Sequence, residues 1–271
     1  SWTGSASGTA SGITLPYTIS NLAAGSYTIS LIDGNGCTSN SITEALNDPT
    51  PPTTPNITPS GPATFCDGGQ VILSSSYPSG NNWSEGSSSQ TITVSSTGVY
   101  SVTYTDASGC SATSAPFTVL VNPNPSSPTI TASGSTTFCD GQTVLLTSSQ
   151  GTGNVWSDGS ISQNNPVTSS GSYTVTYTDA NGCTSTSDIT VVTVNPLPNV
   201  NGGPDQSLCE GGETILSGSG ALSYSWDNGV IDGEPFTPTA TATYTATGTD
   251  INGCSNSDQV IIAVNALPTI T

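Results

Sequence analysis

Apolar side chains come in short alternating runs along this chain, bracketed by Gly, Asn, Asp, Ser and Pro. Tyr100-Ser101-Val102-Thr103-Tyr104 and Tyr173-Thr174-Val175-Thr176-Tyr177 are two clear cases. Alternation with period two places every second side chain on one face, which predicts half-buried strands separated by turns. No window carries a 3.6-residue period with helix caps, so almost no helix is expected. Across residues 128–195 the pattern drafts strands at 129–133, 143–148, 154–156, 163–167, 171–179 and 186–194. Six or seven short strands with turns at this spacing predict an all-β chain built of small immunoglobulin-like sandwiches. The element Asp-x-x-Gly recurs as Asp106 to Gly109, Asp179 to Gly182 and Asp250 to Gly253. Its glycine supplies the positive φ that a bulged hairpin requires.

The pattern repeats, so the chain reads as an array. A partial module over 1–47 precedes a Pro/Thr-rich linker at 48–55. Full Ig-like modules are expected at 56–122, 128–195 and 199–265, with the start of a further module at 266–271. The strands close on Val121-Asn122-Pro123, Val194-Asn195-Pro196 and Val264-Asn265-Ala266, and Pro125, Pro198 and Pro268 follow two residues on. Proline cannot continue a central ladder, so each strand stops there. Joints this short limit hinge motion, and a semi-rigid, elongated rod is expected. Both ends of the chain read as mid-array sequence, which points to a piece of a longer protein.

Cysteine spacing follows the same period. Cys66 to Cys110 and Cys139 to Cys183 are each 44 residues apart, and Cys209 to Cys254 are 45 apart. Equal spacing predicts one structural disulfide inside each module, formed in an oxidising, exported setting. A loop of that length would stabilise a module by about 4 kcal/mol on the chain-entropy model. Metal thiolates are the rival reading. They lose because no Cys-x-x-Cys and no histidine occur, so no metal site is expected. Cys37 is left over. Its partner lies before residue 1, or its module type carries a single cysteine; a free reactive thiol is the lesser alternative. The tryptophans Trp83, Trp156 and Trp226 each stand 17 residues after the first cysteine of their module. That constant register predicts core aromatics, with sugar-stacking platforms as the alternative.

Composition then narrows the chemistry. The 271 residues contain no Lys, Arg or His against 18 Asp and Glu, giving a formal charge of −18. Without a side-chain cation there can be no Ser-His-Asp triad, Lys Schiff base or Arg clamp. Nucleic acid is excluded as a partner because nothing can displace its counterions. Lys–Asn isopeptide staples are excluded too. No stretch is long and apolar enough for membrane insertion as a helix.

Segment 13–38 carries Pro16-Tyr17-Thr18-Ile19, Gly25-Ser26-Tyr27-Thr28-Ile29 and Asp33-Gly34-Asn35-Gly36-Cys37. It resembles the SprB repeat of giant gliding-motility adhesins. The later modules resemble the Ig-like repeats of the same surface proteins, through Phe65-Cys66-Asp67-Gly68, Trp83-Ser84-Glu85-Gly86 and Gly98 to Thr103. The resemblance implies an outer-membrane-associated cell-surface filament, exported by type IX secretion and moved by the gliding machinery.

The acidic residues are weighed against this scaffold. Asp33, Asp106, Asp179 and Asp250 could collect calcium, but an aspartate before a turn also bonds its own backbone, and no EF-hand run surrounds them. Asp67 and Asp140 read the same way. A glycosidase needs only two carboxylates, yet modules of this size offer no deep cleft, so no enzyme and no cofactor are expected. Asn82-Trp83-Ser84 matches a glycosylation acceptor but overlaps the core tryptophan. The expected role is a structural stalk in surface adhesion and gliding motility, contacting neighbouring modules and surface polysaccharide or gliding-machinery components. The alternatives are repeat modules that themselves bind glycans or another surface, and an accessory array of an extracellular enzyme.

Overall fold

The computed structural model describes residues 2–4, 6–14 and 16–269. Every regular element among them is a strand. Ile270 and Thr271, where the expected further module would continue, lie outside the described residues, as does Ser1. The chain forms two compact units, residues 1–122 and 123–271.

The first unit opens with a three-stranded sheet of Trp2–Thr3, Gly25–Ile29 and Ile42–Leu46. Tyr27 is buried in it, and the Tyr27 hydroxyl donates to the Ala23 carbonyl at 2.8 Å. A sandwich follows. One of its sheets holds Ile57–Pro59, Val71–Ser75 and Thr91–Val94. The facing layer places Thr64–Cys66 parallel to Phe117–Asn122, which runs antiparallel to Gly98–Tyr100. The layer continues through Ser111–Thr113, Val102–Thr105 and Asn81–Trp83. Alternation decides the core: Val71 and Leu73 point inward with Trp83, Ile92, Val94, Val102 and Val119, while Ile72 between them is exposed. A first strand that changes sheets to lie parallel to the last one closes an immunoglobulin-type sandwich.

The second unit holds two such sandwiches. In the first, Ile130–Ala132, Val144–Ser148 and Asn164–Val167 form one sheet. Thr137–Cys139 lies parallel to Thr190–Asn195, beside Gly171–Tyr173. The sequence draft misses this three-residue strand, which runs directly into the Cys139-Asp140-Gly141 turn. Asn164–Val167 tolerates Pro166 because it is an edge strand with one partner. The drafted strand 171–179 is broken at Thr174. The buried Ser187 hydroxyl accepts the Val175 N–H at 3.0 Å, taking the place of a ladder bond. Ser114 does the same for Val102 in the first unit, at 3.1 Å. In the last sandwich the corresponding strands run unbroken as Ala242–Thr249 and Ser255–Asn265, in a four-stranded sheet with Gln206–Cys209 and Ser223–Trp226.

Each sandwich has its own core around one tryptophan. Trp83, Trp156 and Trp226 are buried, and their indole N–H groups donate to Ser89 O at 2.9 Å, Ser162 O at 2.8 Å and Asp232 Oδ1 at 2.8 Å. No buried side-chain N or O among the described residues lacks a hydrogen-bond partner. A recurrent tyrosine anchors the corner before the penultimate strand: Tyr100 OH donates to Ser96 O at 3.2 Å and Tyr173 OH to Ser169 O at 3.0 Å. This is the tyrosine corner of Ig-type sandwiches. Gly98 leaves room for the ring, since a Cβ there would stand 3.1 Å from the Tyr100 hydroxyl. Ala242 occupies that place in the last sandwich, where Tyr244 instead meets Phe236 edge to face, with ring centroids 5.3 Å apart.

The disulfides correct the sequence expectation. Cys139 is bonded to Cys254, across 115 residues. The expected within-module bridges Cys139–Cys183 and Cys209–Cys254 are therefore not formed. Cys110 and Cys209 carry free thiols, so Cys66–Cys110 is not formed either. Cys66 and Cys183 are both disulfide-bonded. The reason lies in strand direction. Cys139 pairs with Asn195 at the far end of the last strand, whereas Cys183 stands just before Thr184, where that returning run begins. Twelve extended residues separate them, about 40 Å, and a disulfide needs Cα atoms closer than about 7 Å.

Candidate functional site

Two structural poles of each Ig-like sandwich carry its cysteines. The hairpin pole is built by Asp-x-x-Gly-Cys. Asp179 Oδ1 accepts the N–H groups of Asn181 at 2.9 Å and Cys183 at 2.8 Å. Asp106 serves Ser108 and Cys110 alike, both at 2.9 Å. Asp250 serves Asn252 at 2.9 Å and Cys254 at 2.8 Å. Gly109, Gly182 and Gly253 all sit at φ between 80° and 83°. Each carboxylate is thus spent on its own turn and on orienting the cysteine backbone, which is the turn reading of these aspartates. Asp33 forms the same loop around Cys37, at 3.0 Å to Asn35 N and 2.8 Å to Cys37 N. Among the described residues no group of three or more acidic or cysteine side chains is placed to hold a metal ion.

The strand pole lies at the opposite end. There the short parallel strand ends in cysteine and turns through Asp-Gly or Glu-Gly. Asp140 N donates to Asn195 O at 2.8 Å, and Glu210 N to Asn265 O at 2.9 Å. Asp67 and Asp140 each accept the N–H of the following glycine, at 3.1 and 3.0 Å.

The two poles meet at the joint of the second unit. Asn195-Pro196-Leu197-Pro198 leaves the strand pole of one sandwich, and Asn256 Nδ2 of the next donates to Pro198 O at 3.1 Å. Across this joint the Cys139–Cys254 bridge ties strand pole to hairpin pole. An open groove of about 800 Å³ runs beside it, lined by Ser133, Phe138, Gln142, Thr143, Asn252 and Gly253. Its polar, shallow walls offer nothing that would enclose a small ligand.

A second cavity, about 340 Å³, lies in the N-terminal sheet between Ile13, Tyr17, Ile19, Ile29, Leu31 and Ile42. It is apolar, and Tyr17 is about half exposed at its mouth. Trp83, Trp156 and Trp226, by contrast, are closed off in the cores and cannot stack on a sugar.

One carboxylate outside the hairpins has a distinct environment. Burial raises the pKa of Asp158, but hydrogen bonds outweigh it. The amide of the buried Asn165 donates to Oδ2 at 2.8 Å, and Ser160 N donates to Oδ1 at 3.0 Å, so the carboxyl titrates below its usual 3.8.

No family model and no curated protein matches the chain. Solved structures that overlay on it include Ig-like domain proteins. The insect immune protein hemolin is 12% identical, with 89% of this chain and 82% of hemolin covered and a TM-score of 0.31. Domains 1–5 of Sidekick-1 are 14% identical, covering 90% of this chain and 67% of that one at 0.27. Extracellular domains 3–5 of Drosophila OTK are 15% identical, covering 80% and 99% at 0.26. Scores this low carry no argument about function, and the sandwich fold stands on its own strand order.

Proposed function

We propose that this chain is a non-catalytic piece of an exported cell-surface adhesin, a stalk of Ig-like modules with covalently locked joints. The observation that carries this reading is the Cys139–Cys254 bridge between successive sandwiches. Disulfides persist in extracellular, oxidising settings. The bridge also changes how force travels. Tension that enters at Cys139 can pass straight to Cys254 through the bridge, which limits how far the loop between them can extend. Gliding motility, type IX export and association with the outer membrane rest on the resemblance of segment 13–38 and the Ig-like repeats to gliding adhesins. In that setting the partners are neighbouring modules and surface polysaccharide or gliding-machinery components.

Single-molecule pulling on the whole chain tests the stalk. Reduction should open the loop of 115 residues closed by this bridge, adding about 400 Å of extensible chain at roughly 3.5 Å per residue. Equal extension with and without reductant would mean that the bridge sets no such limit. The apolar cavity around Tyr17 favours a second reading, in which the N-terminal segment binds a glycan by ring stacking. Saturable binding on a glycan array that is lost in Tyr17→Ala would favour that reading over a passive stalk.

A further inference from the structure

We infer that Cys209 is a joining site: its thiol takes the hairpin cysteine of an Ig-like module placed after the 199–265 sandwich, in the manner of Cys139 and Cys254. This goes beyond the stalk reading, because it assigns a covalent partner to one named residue.

Cys209 occupies the same structural position as Cys139. Both end a short strand parallel to the last strand of their sandwich, opposite Asn265 and Asn195 respectively. Both are followed by a turn whose glycine, Gly211 or Gly141, sits at φ 82° or 86°. Both accept a turn-closing N–H on their carbonyl, from Gly212 at 2.9 Å and from Gln142 at 3.1 Å. Of the two, Cys139 is bonded to the Asp-x-x-Gly-Cys hairpin of the next sandwich, and Cys209 is an exposed thiol. The chain also leaves both poles by the same path. Asn195-Pro196-Leu197-Pro198 and Asn265-Ala266-Leu267-Pro268 match in length and end alike in Leu-Pro. A joint of that length delivers a hairpin cysteine to Cys139, so the same joint delivers one to Cys209.

The free thiol of Cys110 fits the same rule from the other side. Its hairpin faces the linker, with the Cys110 Sγ 3.7 Å from the Pro49 carbonyl. The preceding segment holds one cysteine, Cys37, and that residue lies in a hairpin of its own rather than at a strand pole. Within residues 1–65, then, no cysteine stands at a strand pole, and the Cys110 thiol is free.

Closure is an oxidation. The thiols of Cys209 and the incoming hairpin cysteine lose two protons and two electrons as the S–S bond forms. A thiol–disulfide oxidoreductase in its disulfide form accepts them and becomes a dithiol.

The test extends the full chain after Thr271 with a copy of residues 202–265, so that the second Leu-Pro joint leads into another sandwich. The probe is maleimide labelling of the denatured, unreduced protein, with peptide mapping by a Glu-specific protease and chymotrypsin. The parent chain has three free cysteines. In the extended chain the count should stay at three, with Cys209 found joined to the appended hairpin cysteine. Replacing that appended cysteine by serine should leave Cys209 labelled. The Cys139–Cys254 link in the same sample reports folding. A count that rises by two with that link intact overturns the inference, and so does a Cys209–Cys209 dimer of the parent chain or loss of the Cys139–Cys254 link on extension.

Discussion

Asp158 is a residue whose charge works for the fold without any cation nearby. Its carboxylate accepts from the amide of the buried Asn165 and from Ser160 N. The folded pKa lies below 3.8, so the stability it contributes is present above that value and lost as pH falls through the folded pKa. Asp158→Asn should therefore lower the melting temperature at neutral pH and lose its effect in acid. Melting curves across that range check the sign, and a deficit that persists in acid would mean the carboxylate charge is irrelevant. The tyrosine corners carry a similar lesson. Gly-x-Tyr is visible at 98–100 and 171–173, but its meaning shows only once the hydroxyl is seen reaching back four residues to a carbonyl.

Among elements, the Asp-x-x-Gly-Cys hairpin is the one most legible from sequence. Its residue types dictate the turn: a short carboxylate that bonds ahead to two N–H groups, then glycine at positive φ. Asp179→Ala removes the acceptor of two backbone N–H groups, one exposed and one part-buried, and should destabilise the second unit by about 1 kcal/mol. Chemical denaturation of the variant measures this, and a value near zero would mean water replaces the carboxylate fully. Strand positions followed from alternation in the same way. The breaks at Ser101 and Thr174 did not, because they depend on Ser114 and Ser187 entering the ladder from another strand.

At the level of the whole molecule, the absence of side-chain cations shapes behaviour in acid. There are no side-chain salt bridges to lose, and solubility rests on a charge of −18. As pH approaches the isoelectric point near 4.1, self-association should precede unfolding. Light scattering and circular dichroism followed together through an acid titration would show the order, and loss of the β signal before scattering rises would reverse it. The Cys139–Cys254 joint acts at the same scale, since it couples two sandwiches that have separate cores. Closing so long a loop is worth on the order of 5 kcal/mol in the chain-entropy model.

Alternation, turn residues and the register of the tryptophans determine an all-β chain with one aromatic plug per sandwich, because these are local consequences of side-chain geometry and of burying apolar surface. The cysteine partners were outside the reach of that reasoning. Constant spacing reports the length of the repeat, while bonding requires two Cα atoms to come within a few ångströms. Which ends of which sandwiches face one another is decided by strand direction and by the four-residue joint. Only the folded chain brings the end of one module against the hairpin of the next.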